Sequence, residues 1–143
     1  MSQLNEVRKE YANLTSFLIE KNISVATLAS CTGGLIASLL TDKEGASKVV
    51  RGGLVTYTNE AKMSFGIDDK LIKTYGVYSK EVAEAMAGGA KKLYDADMAI
   101  SVTGTFSNPD LANFDSKPGS VYFSIMHEKA YSYFVEDDVN LPR

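Results

Sequence analysis

The chain has 143 residues, with 15 basic and 18 acidic side chains, a formal net charge of -3, one cysteine and one histidine. That length predicts one domain over residues 1–143 with a core of its own, and the acidic balance disfavours nucleic acid or an anionic membrane as a partner. Cys31 alone makes no intramolecular disulfide, a four-ligand zinc site is not expected from one Cys and one His, and neither a metal nor an organic cofactor is implied. The opening MSQLNEVRKEY is too polar for a signal peptide, and no apolar run reaches the roughly 18 residues of a membrane span, so the expected location is cytoplasmic.

Leu4, Val7, Tyr11, Leu14 and Leu18 recur at spacings of three and four, which predicts an amphipathic helix over about 2–21, ended by Asn22. Residues 23–29 are almost continuously apolar and read as a buried central strand. Ser30-Cys31-Thr32-Gly33-Gly34 follows, then a helix over 35–40, so the glycine pair sits where a strand hands over to a helix. After a polar connection over 42–48, Leu54-Val55-Thr56-Tyr57 reads as a second strand reached through Gly52-Gly53. Short helices are expected over 59–65 and, capped by Asp68, through Lys73. Ser79 caps a longer helix over 80–94, with Val82, Met86 and Leu93 on its buried face. Within it, Gly88-Gly89 leaves room for a neighbour at about 1 kcal/mol of helix propensity per glycine. Residues 97–103 form a third apolar strand, 105–117 a long loop of the kind that covers a site, and 121–126 with 131–135 a hairpin turning at 127–129. The fold class is α/β, a mixed sheet with helices packed on it in a three-layer-like arrangement.

Sheets of this kind bind ligands beyond the carboxyl ends of their strands. Two such ends carry Ser30, Thr32, Gly33 and Gly34 in one case and Thr103 and Gly104 in the other. Amides at a helix start can hold an anion, and glycine lets a ligand approach closely. SCTGG is neither GxxxxGK[ST] nor GxGxxG, and a tight turn with Thr32 capping the next helix explains its spacing equally well. By the same bland standard Lys62 is a solvated charge, Ser47 a loop serine, Tyr57 a core aromatic and Cys31 a small buried hydrophobe. A Ser-His-Asp triad would depend on His127 alone, at the hairpin turn.

Read together, Ser30 to Gly34, the block GASKVVRGGLVTYTNEAK over 45–62, Tyr75-Gly76-Val77-Tyr78-Ser79 and Val102-Thr103-Gly104 form a linked set. They resemble, respectively, the SCTGG, GSS...GG.V.YSNEAK, HGAVS and TG or SG motifs of the CinA C-terminal domain family, the nicotinamide mononucleotide amidohydrolases. The resemblance extends from about Asn5 to Tyr133. It implies hydrolysis of the carboxamide of nicotinamide mononucleotide to the nicotinic acid form plus ammonia, with a small pyridine nucleotide as partner.

The serine nucleophile and lysine base of that family, carried over by the resemblance, fall on Ser47 and Lys62, with Tyr57, Thr103 and Ser30 as polar neighbours. A serine hydroxyl is a weak nucleophile until a base takes its proton, and lysine can be that base where burial disfavours its charge. If 49–57 were one extended strand, Ser47 would lie about 30 Å from its far end. The pair therefore requires a bend at Gly52-Gly53 or a meeting across a subunit boundary. The sequence departs from the family at Ala29, where glutamate is usual, at Gly104 to Pro109, which replaces GIAGP, and in stopping at Arg143 before the family's C-terminal helix. These departures support a competing expectation, a noncatalytic nucleotide-binding or interaction module. A role in DNA uptake or repair gets no help from the acidic charge. A homo-oligomer is expected from the small size and from the sheet surface that a short C-terminus leaves open.

Overall fold

The computed structural model describes residues 3–105, 113 and 117–136. The substituted stretch from Phe106 to Pro109 and the end of the chain after Glu136 lie outside the described residues. In chain order the elements are α1 (Gln3–Lys21), β1 (Val25–Ala29), α2 (Leu35–Thr41), a 3-10 turn (Ala46–Lys48), β2 (Val50–Val55), α3 (Asn59–Phe65), α4 (Asp69–Tyr75), α5 (Lys80–Leu93), β3 (Met98–Gly104), β4 (Ser120–Met126) and β5 (Ala130–Glu136). They build a mixed α/β fold whose five-stranded sheet has the order β2-β1-β3-β4-β5. β2, β1 and β3 are parallel, and β4 and β5 continue the sheet antiparallel.

The apolar run expected at β1 is buried along its whole length because helices cover both faces of the parallel half. Ala26 and Leu28 pack with Val82, Met86, Ala87 and Ala90 of α5 and Ile72 of α4. Val25, on the opposite face, packs with Leu18 of α1 and Leu40 of α2. Asn22 ends α1 in the left-handed region, at φ 54°, as a short polar side chain can.

Three sequence expectations need correction. Leu4 and Val7 are exposed, because a 19-residue helix of about 28 Å outruns the five-residue β1 beneath it. Leu93 is exposed as well: the small residues Ala83, Ala87 and Ala90 join Val82 and Met86 on the buried stripe of α5. The second strand begins at Val50 and ends at Val55, with Gly52 and Gly53 inside it. These glycines make close approaches instead of a bend: a Cβ at Gly52 would strike the Tyr94 ring, and one at Gly53 the Thr27 hydroxyl. The register shifts between Val25 and Ala26, where Val50 and Gly52 are their partners and Arg51 is the extra residue of a bulge.

One face of the hairpin is apolar and, on β5, exposed. Val121, Phe123 and Ile125 of β4 are partly buried, while their β5 partners Val135, Tyr133 and Tyr131 are 41%, 49% and 45% exposed. The Phe123 and Tyr133 rings stack across the strands with centroids 4.9 Å apart.

The two α5 glycines differ in surroundings. A Cβ at Gly89 would lie 2.7 Å from the Phe65 ring, whereas one at Gly88 would meet only the Met126 methyl at 3.7 Å. Gly88→Ala should therefore raise stability by up to about 1 kcal/mol through helix propensity. Gly89→Ala should lower it, by about 1 kcal/mol net, since overpacking costs roughly 1–3 kcal/mol. Denaturant midpoints of the two variants check the opposite signs.

At the amino ends of β1 and β3, the Ser24 amide donates to Asp97 Oδ2 at 2.8 Å and the Asp97 amide donates to Ser24 Oγ at 2.8 Å. The Ser24 amide bond, then the Ser24 side chain, holds the Asp97 carboxyl below the usual range. A depressed folded-state pKa contributes stability above the unfolded value and loses it as pH falls through the folded one. Thermal melts from pH 7 down to 3 should therefore show a smaller acid-induced loss in Asp97→Asn than in the parent chain.

Candidate functional site

The parallel half of the sheet brings three strand ends to one edge. β1 ends at Ala29, β2 at Val55 and β3 at Gly104, and the chain leaves each through a hydroxyl residue: Ser30, Thr56 and Thr105. The Thr56 amide donates to the Ala29 carbonyl at 2.9 Å, extending the β1–β2 ladder by one step. Thr58 then caps α3, its hydroxyl accepting from the Ala61 amide at 3.0 Å, and Gly66 closes the helix at φ 114°. This seven-residue helix folds back over the strand ends, with Phe65 seated against Gly89 of α5. One turn into it, Lys62 points inward.

Lys62 is 1% exposed and ranks among the largest fully buried side chains. Its Nζ donates to the Thr56 carbonyl at 2.7 Å and to Ser30 Oγ at 3.0 Å. Both partners are neutral oxygens. Burial works against an ammonium group, and these two hydrogen bonds fix the position of the amine. A hydroxyl 3.0 Å from a lysine nitrogen is also within reach for the reverse transfer, O–H to amine, once the amine is neutral. Ser30 is itself buried, and its carbonyl accepts from the Gly33 amide at 3.1 Å.

The remaining candidates are distributed as follows. Ser47 is exposed in the Ala46–Lys48 turn, before the amino end of β2. Val50 pairs beside Val25 and Val55 beside Ala29, so β2 runs its full length between that turn and the Lys62 edge, about 20 Å for six residues. Without a bend at Gly52-Gly53, Ser47 and Lys62 do not meet within the chain, and the serine hydroxyl beside the Lys62 nitrogen is that of Ser30. Tyr57 lies past the strand and is 65% exposed, which corrects its reading as a core aromatic. Thr32 does not cap α2: the N-cap is Gly34 at φ 100°, and Gly33 is also left-handed at φ 64°. Thr103 is fully buried and donates to the Val77 carbonyl at 3.2 Å, tying β3 to the start of α5. Gly104 is required by the close passage of Ser120 and Val121 backbone. Cys31 packs with Ala29 and Val102 as a small hydrophobe, and His127 is exposed at the hairpin turn.

Sequence reasoning missed Thr56, Asn59 and Asn113. Thr56 contributes its carbonyl to Lys62, and its buried hydroxyl, like that of Thr32, has no hydrogen-bond partner among the described residues. Asn59 and Asn113 exchange two side-chain hydrogen bonds across 54 residues of sequence. A backbone carbonyl leaves no trace in residue identity, and a pairing so distant has no local periodicity to reveal it. Among the described residues there is no cluster of His, Cys, Asp and Glu able to hold a metal ion, and no helix is long and apolar enough to cross a membrane.

The profile of the CinA C-terminal domain matches residues 8–140. The chain belongs to that family. A CinA-like protein of Mycobacterium avium is 45% identical over 102 residues, covering 71% of this chain and 23% of its own length. A CinA-like protein of Leptospira interrogans is 41% identical over 116 residues, covering 80% of this chain and 28% of its own. The chain thus spans about a quarter of the length of these curated relatives. Among solved structures, a competence-damaged protein (CinA) superfamily protein from Escherichia coli aligns with a TM-score of 0.86 at 28% identity, over 96% of this chain and 81% of that one. The competence/damage inducible protein CihA from Agrobacterium tumefaciens aligns with a TM-score of 0.84 at 31% identity, over 93% and 82%.

Proposed function

We propose that the protein is an amidohydrolase acting on the carboxamide of a pyridine nucleotide, nicotinamide mononucleotide, with Ser30 as nucleophile and Lys62 as proton shuttle. The observation that carries this reading is the buried 3.0 Å contact between Lys62 Nζ and Ser30 Oγ, with the Thr56 carbonyl steering the amine. In this reaction neutral Lys62 takes the Ser30 proton as Oγ bonds to the carboxamide carbon. The tetrahedral adduct collapses, the C–N bond breaks, and Lys62 returns the proton to the departing nitrogen, which leaves as ammonia. Water, deprotonated by the same amine, then cleaves the acyl-serine to the carboxylic acid and restores Ser30. No metal or organic cofactor enters these steps. Thr32, Gly33, Gly34, Thr103 and Gly104, at the ends of β1 and β3, are the substrate-binding candidates of this reading, and Tyr57 is a further catalytic candidate.

Ammonia release from nicotinamide mononucleotide, compared with nicotinamide riboside and free nicotinamide, is the deciding measurement. Ser30→Ala and Lys62→Met should each lower turnover at least about a hundredfold, whereas Ser47→Ala should stay within about twofold of the parent. Turnover should rise with pH as Lys62 loses its proton. Saturable binding of the mononucleotide with no ammonia from the parent chain would instead favour a noncatalytic nucleotide-binding module. Loss of activity in Ser47→Ala with Ser30→Ala unaffected would return the nucleophile to the exposed turn.

The same reading places the protein in the cytoplasm as a homo-oligomer, copies associating through the hairpin face of Tyr131, Tyr133 and Val135, whose exposure is unusual for such side chains. Analytical ultracentrifugation should find a species heavier than the 15.5 kDa chain, and Tyr133→Glu should shift it towards monomer.

A further inference from the structure

Two asparagines meet beside Lys62. Asn59 occupies the first turn of α3, three residues before Lys62, a spacing that sets the two on one helix face with Cβ atoms about 5–6 Å apart. Its carboxamide is paired reciprocally with that of Asn113: Asn59 Nδ2 donates to Asn113 Oδ1 at 2.7 Å, and Asn113 Nδ2 donates to Asn59 Oδ1 at 3.2 Å. Both residues are half-buried. Asn113 lies in the connection between the end of β3 and the start of β4, and the base of that connection is tied at the same sheet edge. The Thr105 hydroxyl donates to the Lys117 carbonyl at 2.9 Å, and the Gly119 amide donates to the Thr105 carbonyl at 3.0 Å.

We propose that Asn59 is the residue that recognises the substrate's primary carboxamide, and that Asn113 holds this position in the free protein as an internal copy of the group. This rests on the amidohydrolase reading and deepens it. A primary carboxamide offers one N–H and one C=O side by side in a plane, and an asparagine side chain offers the complementary pair. The arrangement that Asn59 and Asn113 adopt is thus the one that Asn59 and a nicotinamide carboxamide would adopt. Because the two hydrogen bonds lie in the amide plane, both faces of the carbonyl carbon stay open to a nucleophile such as Ser30. Asn59 Nδ2 would then support the carbonyl oxygen as negative charge develops on it, while Oδ1 receives the N–H of the leaving nitrogen. The carboxylate product carries two acceptors and no donor, so it sets an oxygen against Asn59 Oδ1 and is bound less well. A trans N-methylcarboxamide points its single N–H away from its carbonyl oxygen and cannot make the reciprocal pair.

The pairing also sets an apparent affinity. While Asn113 occupies Asn59, only the fraction of molecules with the pair open is competent, and the apparent dissociation constant rises by the inverse of that fraction. The test uses the full chain, with binding measured calorimetrically in the Ser30→Ala background and kinetics followed by ammonia release in the presence of Ser30. Probes are nicotinamide mononucleotide, its N-methylcarboxamide analogue and the nicotinic acid form. Asn113→Ala should tighten binding of the primary amide, and lower KM, by about three- to tenfold with kcat within twofold, while the acid and the N-methyl analogue, which gain the opened position but not the reciprocal pair, stay weaker than the amide. Asn59→Asp, nearly isosteric, should lower kcat/KM at least about a hundredfold by removing the N–H donor. A merely structural tie predicts otherwise: Asn113→Ala would weaken or leave unchanged the binding of all three probes while lowering the melting temperature, and that result overturns the proposal. So does equal affinity for the amide and its N-methyl analogue, or no measurable binding of the amide. If the parent chain releases no ammonia but Asn113→Ala still tightens amide binding and the amide still outbinds its N-methyl analogue, the hydrolytic reading fails and the recognition stands. If ammonia is released and Asn113→Ala gives no gain in amide affinity, the reverse holds.

Discussion

The site depends on keeping a lysine amine out of water. A long aliphatic stem ending in a charge is ordinarily extended over the surface with its head solvated. At Lys62 that geometry is inverted: the stem descends from a short helix and the nitrogen is received by two neutral oxygens at the end of the parallel sheet. Each neighbouring element contributes to that inversion. β1 delivers Ser30, β2 delivers the Thr56 carbonyl, and α5 yields space at Gly89 for the aromatic ring at the end of α3. Removing any one of them would leave a buried amine with an incomplete set of partners, at a cost comparable to a whole hydrogen bond or more.

Parallel pairing explains why the functional groups gather where they do. Strands that run in one direction bring their following residues to a common edge, so groups distant in sequence meet without a dedicated loop for each. Ser30, Thr56 and Thr105 converge in this way, whereas Ser47 precedes β2 and is carried to the opposite end. One strand length, and not a preference between two serines, separates the residue beside the lysine from the residue that is not.

Much of the fold was legible in the residues. The three-four spacing of α1, the apolar run of β1, the caps Asp68 and Ser79 and the alternation of the hairpin each have a local cause, and the elements appear within a few residues of where those causes place them. The site was legible in composition and illegible in arrangement. SCTGG and YTNEAK follow strands that end at one sheet edge, yet which serine meets the lysine is decided by whether Gly52-Gly53 bends or extends. Glycine permits both. The neighbouring Tyr94 ring and Thr27 hydroxyl, which leave no room for a Cβ, belong to other elements, so no local window contains the answer. The half-buried Asn59–Asn113 pair, 54 residues apart, is hidden for the same reason.

The contrast between the two halves of the sheet bears on how the molecule assembles. The β4–β5 hairpin joins neighbours in sequence through a three-residue turn, so its contacts close quickly. The parallel half must bring Val25 beside both Val50 and Met98, with loop-closure entropy spent before any packing is gained. The lysine–serine contact spans 32 residues and exists only when β1, β2 and α3 are all docked. Partly folded chains can therefore present a formed hairpin with its aromatic face exposed before they possess any site. A chain whose hairpin alone has formed holds β-structure but lacks the contact between Lys62 and Ser30.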